Sequence, residues 1–299
     1  MSKRHAWCKA ATAGMIALGS ASATAADFAS VLDEFWIKLG AAGASVVEIF
    51  RDTFGDGVLP PSGPDGANTY GVFGANGMTS EADGKLTMTP FLGDPVVLTT
   101  TFADLSTSGV RRLATNPANP AFLGQASAFE LHALYDLSSL PTIAGQSLGL
   151  RASDRVPDLG NEGNNGYQIF LGVSPANGDR LVVLRKHDFT TDTSVVVDSL
   201  SIESLLPNAD QIEFIFTKAA GADTLGASFQ LFDYQAADPL LASGALGANT
   251  ALTIYDGEPY IRGQFEVTDR VPAIPEPSTW ALLLAGLAVV AWRRRRART

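Results

Sequence analysis

From Val46 onward, apolar residues recur at every second position, and this period of two is the strongest constraint on what the chain can fold into. Phe129, Leu131, Ala133 and Tyr135 share one side of their run, while Glu130 and His132 take the other. Tyr167, Ile169, Leu171 and Val173 repeat the pattern, Ile212, Phe214 and Phe216 oppose Gln211 and Glu213, and Phe229 and Leu231 alternate with Ser228 and Gln230. Strands of this kind bury one face and leave the other in water. Turn-forming clusters separate them: Pro60-Pro61-Ser62-Gly63-Pro64, Asn116-Pro117, Pro175-Ala176-Asn177-Gly178 and Ala220-Gly221. Many short strands joined by such turns predict an all-β domain, an antiparallel β-sandwich, over residues 46–267. A chain of 299 residues that is 46% hydrophobic has the material for its core. No internal repeat is visible.

Ahead of the sandwich the spacing changes. Phe28, Val31, Leu32, Phe35, Trp36 and Leu39 recur at three- and four-residue intervals, which predicts a short amphipathic helix within residues 26–45, ending at Gly40 and covering an open edge of the main domain.

Both ends read as addresses. Lys3, Arg4 and Lys9 precede an apolar run from Ala10 to Leu18, and Ala23-Thr24-Ala25 offers a small-residue cleavage site, so residues 1–25 are expected to be a signal peptide handled by the secretion translocase. The single cysteine, Cys8, lies inside that leader, which leaves the mature protein without a thiol or disulfide. At the other end, Trp280 to Trp292 carries no charge, has aromatic residues at its edges and runs straight into Arg293, Arg294, Arg295 and Arg296, a stop-transfer arrangement. As a helix those residues would rise roughly 20 Å, short of a hydrocarbon core of about 30 Å. Such a marginal span suits a segment that holds the protein at the membrane only transiently. Residues 268–274 form the linker before it.

Pro275-Glu276-Pro277, the apolar helix and the arginine cluster, in that order, resemble the PEP-CTERM sorting signal of Gram-negative bacteria, also labelled an ice-binding protein C-terminal domain. The resemblance covers residues 275–299. It implies recognition by an exosortase, a membrane protease-transpeptidase that cuts near the motif and passes the protein to the cell surface or extracellular matrix. Pro275, Glu276, Pro277 and Arg293 to Arg296 are then recognition residues, not catalytic ones. An ordinary single-span anchor is the alternative.

In the body, Asp52-Thr53-Phe54-Gly55-Asp56-Gly57, Tyr70-Gly71-Val72-Phe73, Asp83-Gly84-Lys85-Leu86-Thr87-Met88 and Gly166-Tyr167-Gln168-Ile169 resemble strand and turn stretches of concanavalin A-like jelly rolls, the architecture of laminin-G and lectin-like modules. Glycosidases of that architecture need two carboxylates about one sugar. The nearest approach to the laminarinase-like E-x-D-x-x-E pattern is Glu81-Ala82-Asp83-Gly84-Lys85-Leu86, which lacks the third acid and contains a turn glycine. Neither His132 nor His187 accompanies a G-x-S-x-G nucleophile signature, and no cysteine or paired histidine offers a zinc site.

Charge narrows the partners. The terminal basic residues aside, 13 basic residues face 31 acidic ones, leaving the body near −18, which excludes nucleic acid and suits an exported protein that meets divalent cations. Structural calcium is the metal to weigh, with Asp52 and Asp56 as one oxygen cluster and Asp158 and Asn161, in the Asp158 to Gly166 stretch, as another. Neither has the EF-hand spacing. Tyr70, Tyr255 and Tyr260 are candidate sugar-stacking rings beside polar loops. Isolated threonine runs at Thr99 to Thr101 and Thr190-Thr191 form no regular array for ice. The expectation is a non-enzymatic exported protein that binds exopolysaccharide or builds the matrix. The alternative is a carbohydrate-active enzyme whose catalytic carboxylates come from distant strands.

Overall fold

A computed structural model describes residues 28–41, 43–55, 68–73, 78–90, 96–102, 125–155, 162–188, 191, 193–236, 239–254 and 262–269. Its strands are β1 (Ser30–Gly40), β2 (Val47–Asp52), β3 (Asn68–Phe73), β4 (Met78–Ala82), β5 (Lys85–Thr89), β6 (Val96–Phe102), β7 (Ala128–Asp136), β8 (Gln146–Arg155), β9 (Glu162–Val173), β10 (Arg180–Asp188), β11 (Thr193–Ser201), β12 (Gln211–Lys218), β13 (Thr224–Phe232), β14 (Leu240–Leu246), β15 (Leu252–Thr253) and β16 (Arg262–Asp269).

These strands form two sheets. Sheet A runs β14-β13-β12-β7-β1-β5-β4, with β15 beside β13 and β2 beside β1. Sheet B runs β11-β10-β9-β8-β16-β6-β3. Every ladder among the described residues is antiparallel. The period of two is realised as expected: Phe129, Leu131, Ala133, Tyr135, Ile169, Leu171, Ile212, Phe214 and Phe229 all turn into one buried core. That core lies between the sheets. Phe35 of β1 meets Phe265 of β16 with ring centroids 5.1 Å apart, and Tyr135 of β7 donates its hydroxyl to the Gly149 carbonyl of β8 at 2.7 Å. The buried Tyr135 phenol is held well above its usual pKa, first by desolvation and then by the Glu266 charge, so it remains a donor.

The turns follow their residues. Asp83 and Gly84 both take positive φ, 55° and 71°, as a two-residue hairpin turn with right-handed strand twist requires, and they join β4 to β5. The acids of Glu81-Ala82-Asp83 are therefore split between a strand and its turn. Gly178 and Gly221 take positive φ in the β9–β10 and β12–β13 connections that the sequence marks as turns.

The expected N-terminal helix is not formed. Residues 30–40 are strand β1, the partner of β7 and of both β5 and β2. Its ladder with β7 pairs Leu32 with Tyr135 and Glu34 with Leu134, so Asp33 is an extra residue, a β-bulge. Leu32 faces the core before the bulge, and Phe35 and Ile37 face it afterwards. The change of phase puts a three-residue step into an alternating strand. Trp36, on the opposite face, is also buried, which completes the imitation of a helical stripe.

The run from Asp158 to Gly166 differs in part from the expected loop, because residues 162–166 already belong to β9. Glu162 pairs with Arg155 and Asn165 with Asp188, so ladders on both sides draw this Asn/Gly-rich run into the sheet.

Tyr135→Phe should lower stability by about 1 kcal/mol by removing the inter-sheet hydrogen bond, and Phe35→Ala by about 3–5 kcal/mol, both read from urea unfolding midpoints. A cost for Tyr135→Phe as large as that for Phe35→Ala would show that the inter-sheet hydroxyl contributes as much as a buried ring.

Candidate functional site

The bulge at Asp33 organises the outer face of sheet A. A bulged residue re-aims its side chain, and here it carries a carboxylate that is itself largely buried. Lys85 of β5 stands with its Nζ 3.5 Å from Asp33 Oδ1 and also pairs with Asp136 at the end of β7. Gln211 of β12 donates its side-chain amide to the other oxygen of Asp33. Four strands thus place two carboxylates, an ammonium and an amide together.

The two carboxylates are pushed in opposite directions. Desolvation raises the Asp33 pKa despite the pull of Lys85, and the Asp136 charge adds to the rise. Burial also tends to raise Asp136, but Lys85 and the Ser138 backbone N–H, which donates at 2.6 Å, bring it below its ordinary value. Lys85 in turn is raised, chiefly by its hydrogen bond to Asp136.

Beside them lies an open cleft of about 380 Å³ walled by Asp136, Ser138, Asp210, Gln211, Tyr234 and Gln235. Tyr234 is 56% exposed. Its ring stacks on Phe232 at 5.6 Å, and its backbone N–H donates to Asp210 Oδ2 at 3.2 Å. Partial desolvation and then the negative charges of Glu213, Glu34 and Asp33 raise its phenol pKa, which keeps the hydroxyl protonated at the edge of this acidic face.

Further along the same face, His132 is buried and not a surface residue as its polar-face position in the sequence suggests. Its Nδ1 lies 2.6 Å from Glu213 Oε1 and its Nε2 3.0 Å from Glu130 Oε2. Trp36 stacks on its ring at 4.6 Å, and the Arg51 guanidinium lies 4.5 Å over Trp36. Arg51 also pairs with Glu34 and Glu48, and Lys38 with Glu130 at 2.9 Å. Burial is outweighed at Glu130 by Lys38 and His132, so its carboxyl is lowered, while the Arg51 hydrogen bond lowers Glu48. This part of the face is a paired ionic network around one aromatic stack.

The residues expected from sequence are distributed differently. Asp52 accepts the Phe54 N–H at 2.8 Å in an Asx turn, which holds Phe54 at a φ of 51° with its ring in the core against Phe265. Asp56, Asp158 and Asn161 lie outside the described residues, as do Tyr255, Tyr260, Ala23, Ala25, Pro275 to Pro277, Arg293 to Arg296 and the expected sorting helix. Tyr70 is in β3. No group of three acidic, histidine or cysteine residues among the described ones could hold a metal ion. No helix among them is long and apolar enough to cross a membrane. His187 is the penultimate residue of β10, with Nδ1 2.8 Å from Ser194 Oγ.

Sequence spacing alone does not mark Asp33, Lys85, Asp136 and Tyr234 as site residues. The usable signal was an acid in the middle of an apolar stripe, Leu32-Asp33-Glu34-Phe35, which a helix reading places harmlessly on its polar side.

Known proteins resemble two parts of the chain. Residues 273–296 match the PEP-CTERM protein-sorting motif. A solved structure from work in which prominent members of the human gut microbiota express endo-acting O-glycanases to initiate mucin breakdown aligns with 72% of this chain and 85% of its own, at 13% identity and a TM-score of 0.30. No curated protein matches the chain. The chain carries a PEP-CTERM sorting motif, which indicates an exported protein sorted by an exosortase.

Asp136→Asn should cost about 1 kcal/mol at neutral pH by leaving Lys85 with Asp33 alone. A depressed carboxylate stabilises above its unfolded pKa and loses that effect as pH falls through its folded value, so this cost should be smaller at pH 3 than at pH 7. Asp33 has a raised pKa and the opposite sign, so Asp33→Asn should be neutral or stabilising at pH 7. Urea titrations at the two pH values check both.

Proposed function

We propose that the processed protein is a non-enzymatic component of the cell surface or extracellular matrix that binds polysaccharide on the outer face of sheet A, within a concanavalin A-like jelly roll. The observation that carries this reading is the Tyr234 cleft, where an exposed ring stands beside carboxylate, amide and hydroxyl groups. An aromatic face packs against the C–H surface of a pyranose, and carboxylate and amide oxygens accept from its hydroxyls. Carboxylates outnumber cations on this face, which favours a neutral, hydroxyl-rich chain over an acidic one. The sorting motif supports delivery to a place where such polymers are found.

The absence of catalysis is part of the proposal. Glu48, Glu130 and Asp136 are all lowered, which suits acceptors and not general acids near neutral pH.

One observation favours the enzymatic alternative. Asp33 is raised and Asp136 lowered beside the same Lys85, and opposed shifts in neighbouring carboxylates are how an acid and its ionised partner are assigned in glycosidases. Release of reducing sugar that disappears in Asp33→Asn would replace the binding reading with this one.

Affinity electrophoresis against neutral microbial polysaccharides, including the producer's own, should show retardation that Tyr234→Ala weakens by about tenfold with no change in unfolding midpoint. Retention of full binding by Tyr234→Ala, or no binding to any polymer, would remove the cleft from the argument. The intact mass of the protein from culture medium should lack the leader and the segment after the Pro275-Glu276-Pro277 motif.

A further inference from the structure

The outer face of sheet B holds a second cleft, of about 280 Å³, with different chemistry. Gly149 lies on the same outer face, within β8. A Cβ there would stand 2.4 Å from the Ile169 carbonyl oxygen and 2.5 Å from Phe170 Cβ, so the packing of β8 against β9 admits only glycine at this position. Tyr135 fixes the same residue from the core side through its hydrogen bond to the Gly149 carbonyl.

The sheet register sets the walls. Glu266 and Phe170 are the cross-strand neighbours of Gly149, while Ser147 and Arg151 precede and follow it by two residues on the same face. Phe170 supplies the apolar wall. Arg151 Nη2 lies 2.9 Å from Glu266 Oε2, which anchors the guanidinium over a carboxylate only 2% exposed. Across the sheet, Gln168 pairs in register with both Arg151 and Arg185. Arg185 lines the cleft too, donates to Gln168 Oε1, and has its guanidinium 5.2 Å over the Phe170 ring.

Two donors in this row are unspent. Gln168 is 2% exposed, and because its oxygen accepts from Arg185, its Nε2 is left as a buried donor without an acceptor among the described residues. Arg151 Nε is likewise buried and without an acceptor there. Buried donors in this state are costly unless an acceptor arrives. Ser147 and Thr268, whose hydroxyls meet at 2.6 Å, add groups able to donate and accept. Two arginines against one glutamate make the cleft locally cationic on a body that is otherwise strongly acidic.

We infer that this cleft is a binding subsite for a carboxylate-bearing sugar, a hexuronate unit of an acidic polysaccharide. Planar guanidinium groups pair with a carboxylate through fork-like hydrogen bonds, the hydroxyl pair and Glu266 meet ring hydroxyls, and Phe170 packs against the ring's apolar side. The volume lies just under the ~300 Å³ lower bound of small-molecule sites and so fits one ring of a longer chain. This inference rests on the proposal that the protein meets polysaccharide, but it uses the opposite face and the opposite charge.

The test is calorimetric titration of the secreted protein with oligogalacturonate, with a neutral gluco-oligosaccharide of equal length as control. Oligogalacturonate should bind, and Arg185→Gln should weaken it by about tenfold. Arg185→Lys, which keeps the charge and loses the fork, should weaken it as well and stands in if the glutamine variant fails to fold. Arg151 is left in place because Glu266 beneath it would lose its cation. No binding of oligogalacturonate, undiminished binding by both variants, or displacement by inorganic phosphate at matched ionic strength would each overturn the assignment. Tyr234→Ala should leave oligogalacturonate binding intact, so loss of neutral-polymer binding alone counts against the sheet A proposal and not against this one.

Discussion

Burial of one face of each sheet against the other is the constraint on which the rest of this structure depends. Phe35, Leu131, Tyr135 and Phe214 of sheet A share a core with Leu150, Ile169 and Phe265 of sheet B. With the inner faces committed to apolar contact, the charged clusters described above lie on the two outer faces. Those faces diverged in charge. Sheet A carries the acidic array from Asp33 to Glu213, and sheet B carries the arginines about Gly149. Tyr135 joins the two halves, since the side chain that fills the core also ties the Gly149 carbonyl of β8, the strand that carries Ser147 and Arg151.

β7, β9, β12 and β13 were legible because Phe129 to Tyr135, Tyr167 to Leu171, Ile212 to Phe216 and Phe229 to Leu231 each keep one parity, so the inward set reads directly from the residues. The N-terminal strand was not, for an identifiable reason. Asp33 breaks the parity of β1, and Trp36 is buried outside the core beneath Arg51, so a strand buried on both faces presents the spacing of an amphipathic helix. Periodicity reports which positions are buried. It does not report by what.

The sites were less legible than the fold. His132 sits on the polar parity of β7, which predicts a solvated residue, yet Trp36 and two carboxylates enclose it, and while Glu130 is its neighbour on the same strand, Trp36 and Glu213 come from strands far along the chain. Gly172, which lines the basic cleft from inside an alternating strand, is a local sign of it, since a strand glycine marks close approach. The tail was legible without any fold at all, because an exosortase reads a linear signal, and the motif match at residues 273–296 agrees with that reading.

The bulge at Asp33 also bears on how relatives of this chain could be recognised. It is a single inserted residue whose removal would leave Leu32, Glu34 and Phe35 in unbroken in-out-in order opposite the same β7 partners. A relative without the acidic face could therefore lack this one position and keep the entire core. An alignment that permits no gap inside the strand would then place its inward residues against outward ones, and two chains of the same architecture would look unrelated at the point where they differ in chemistry.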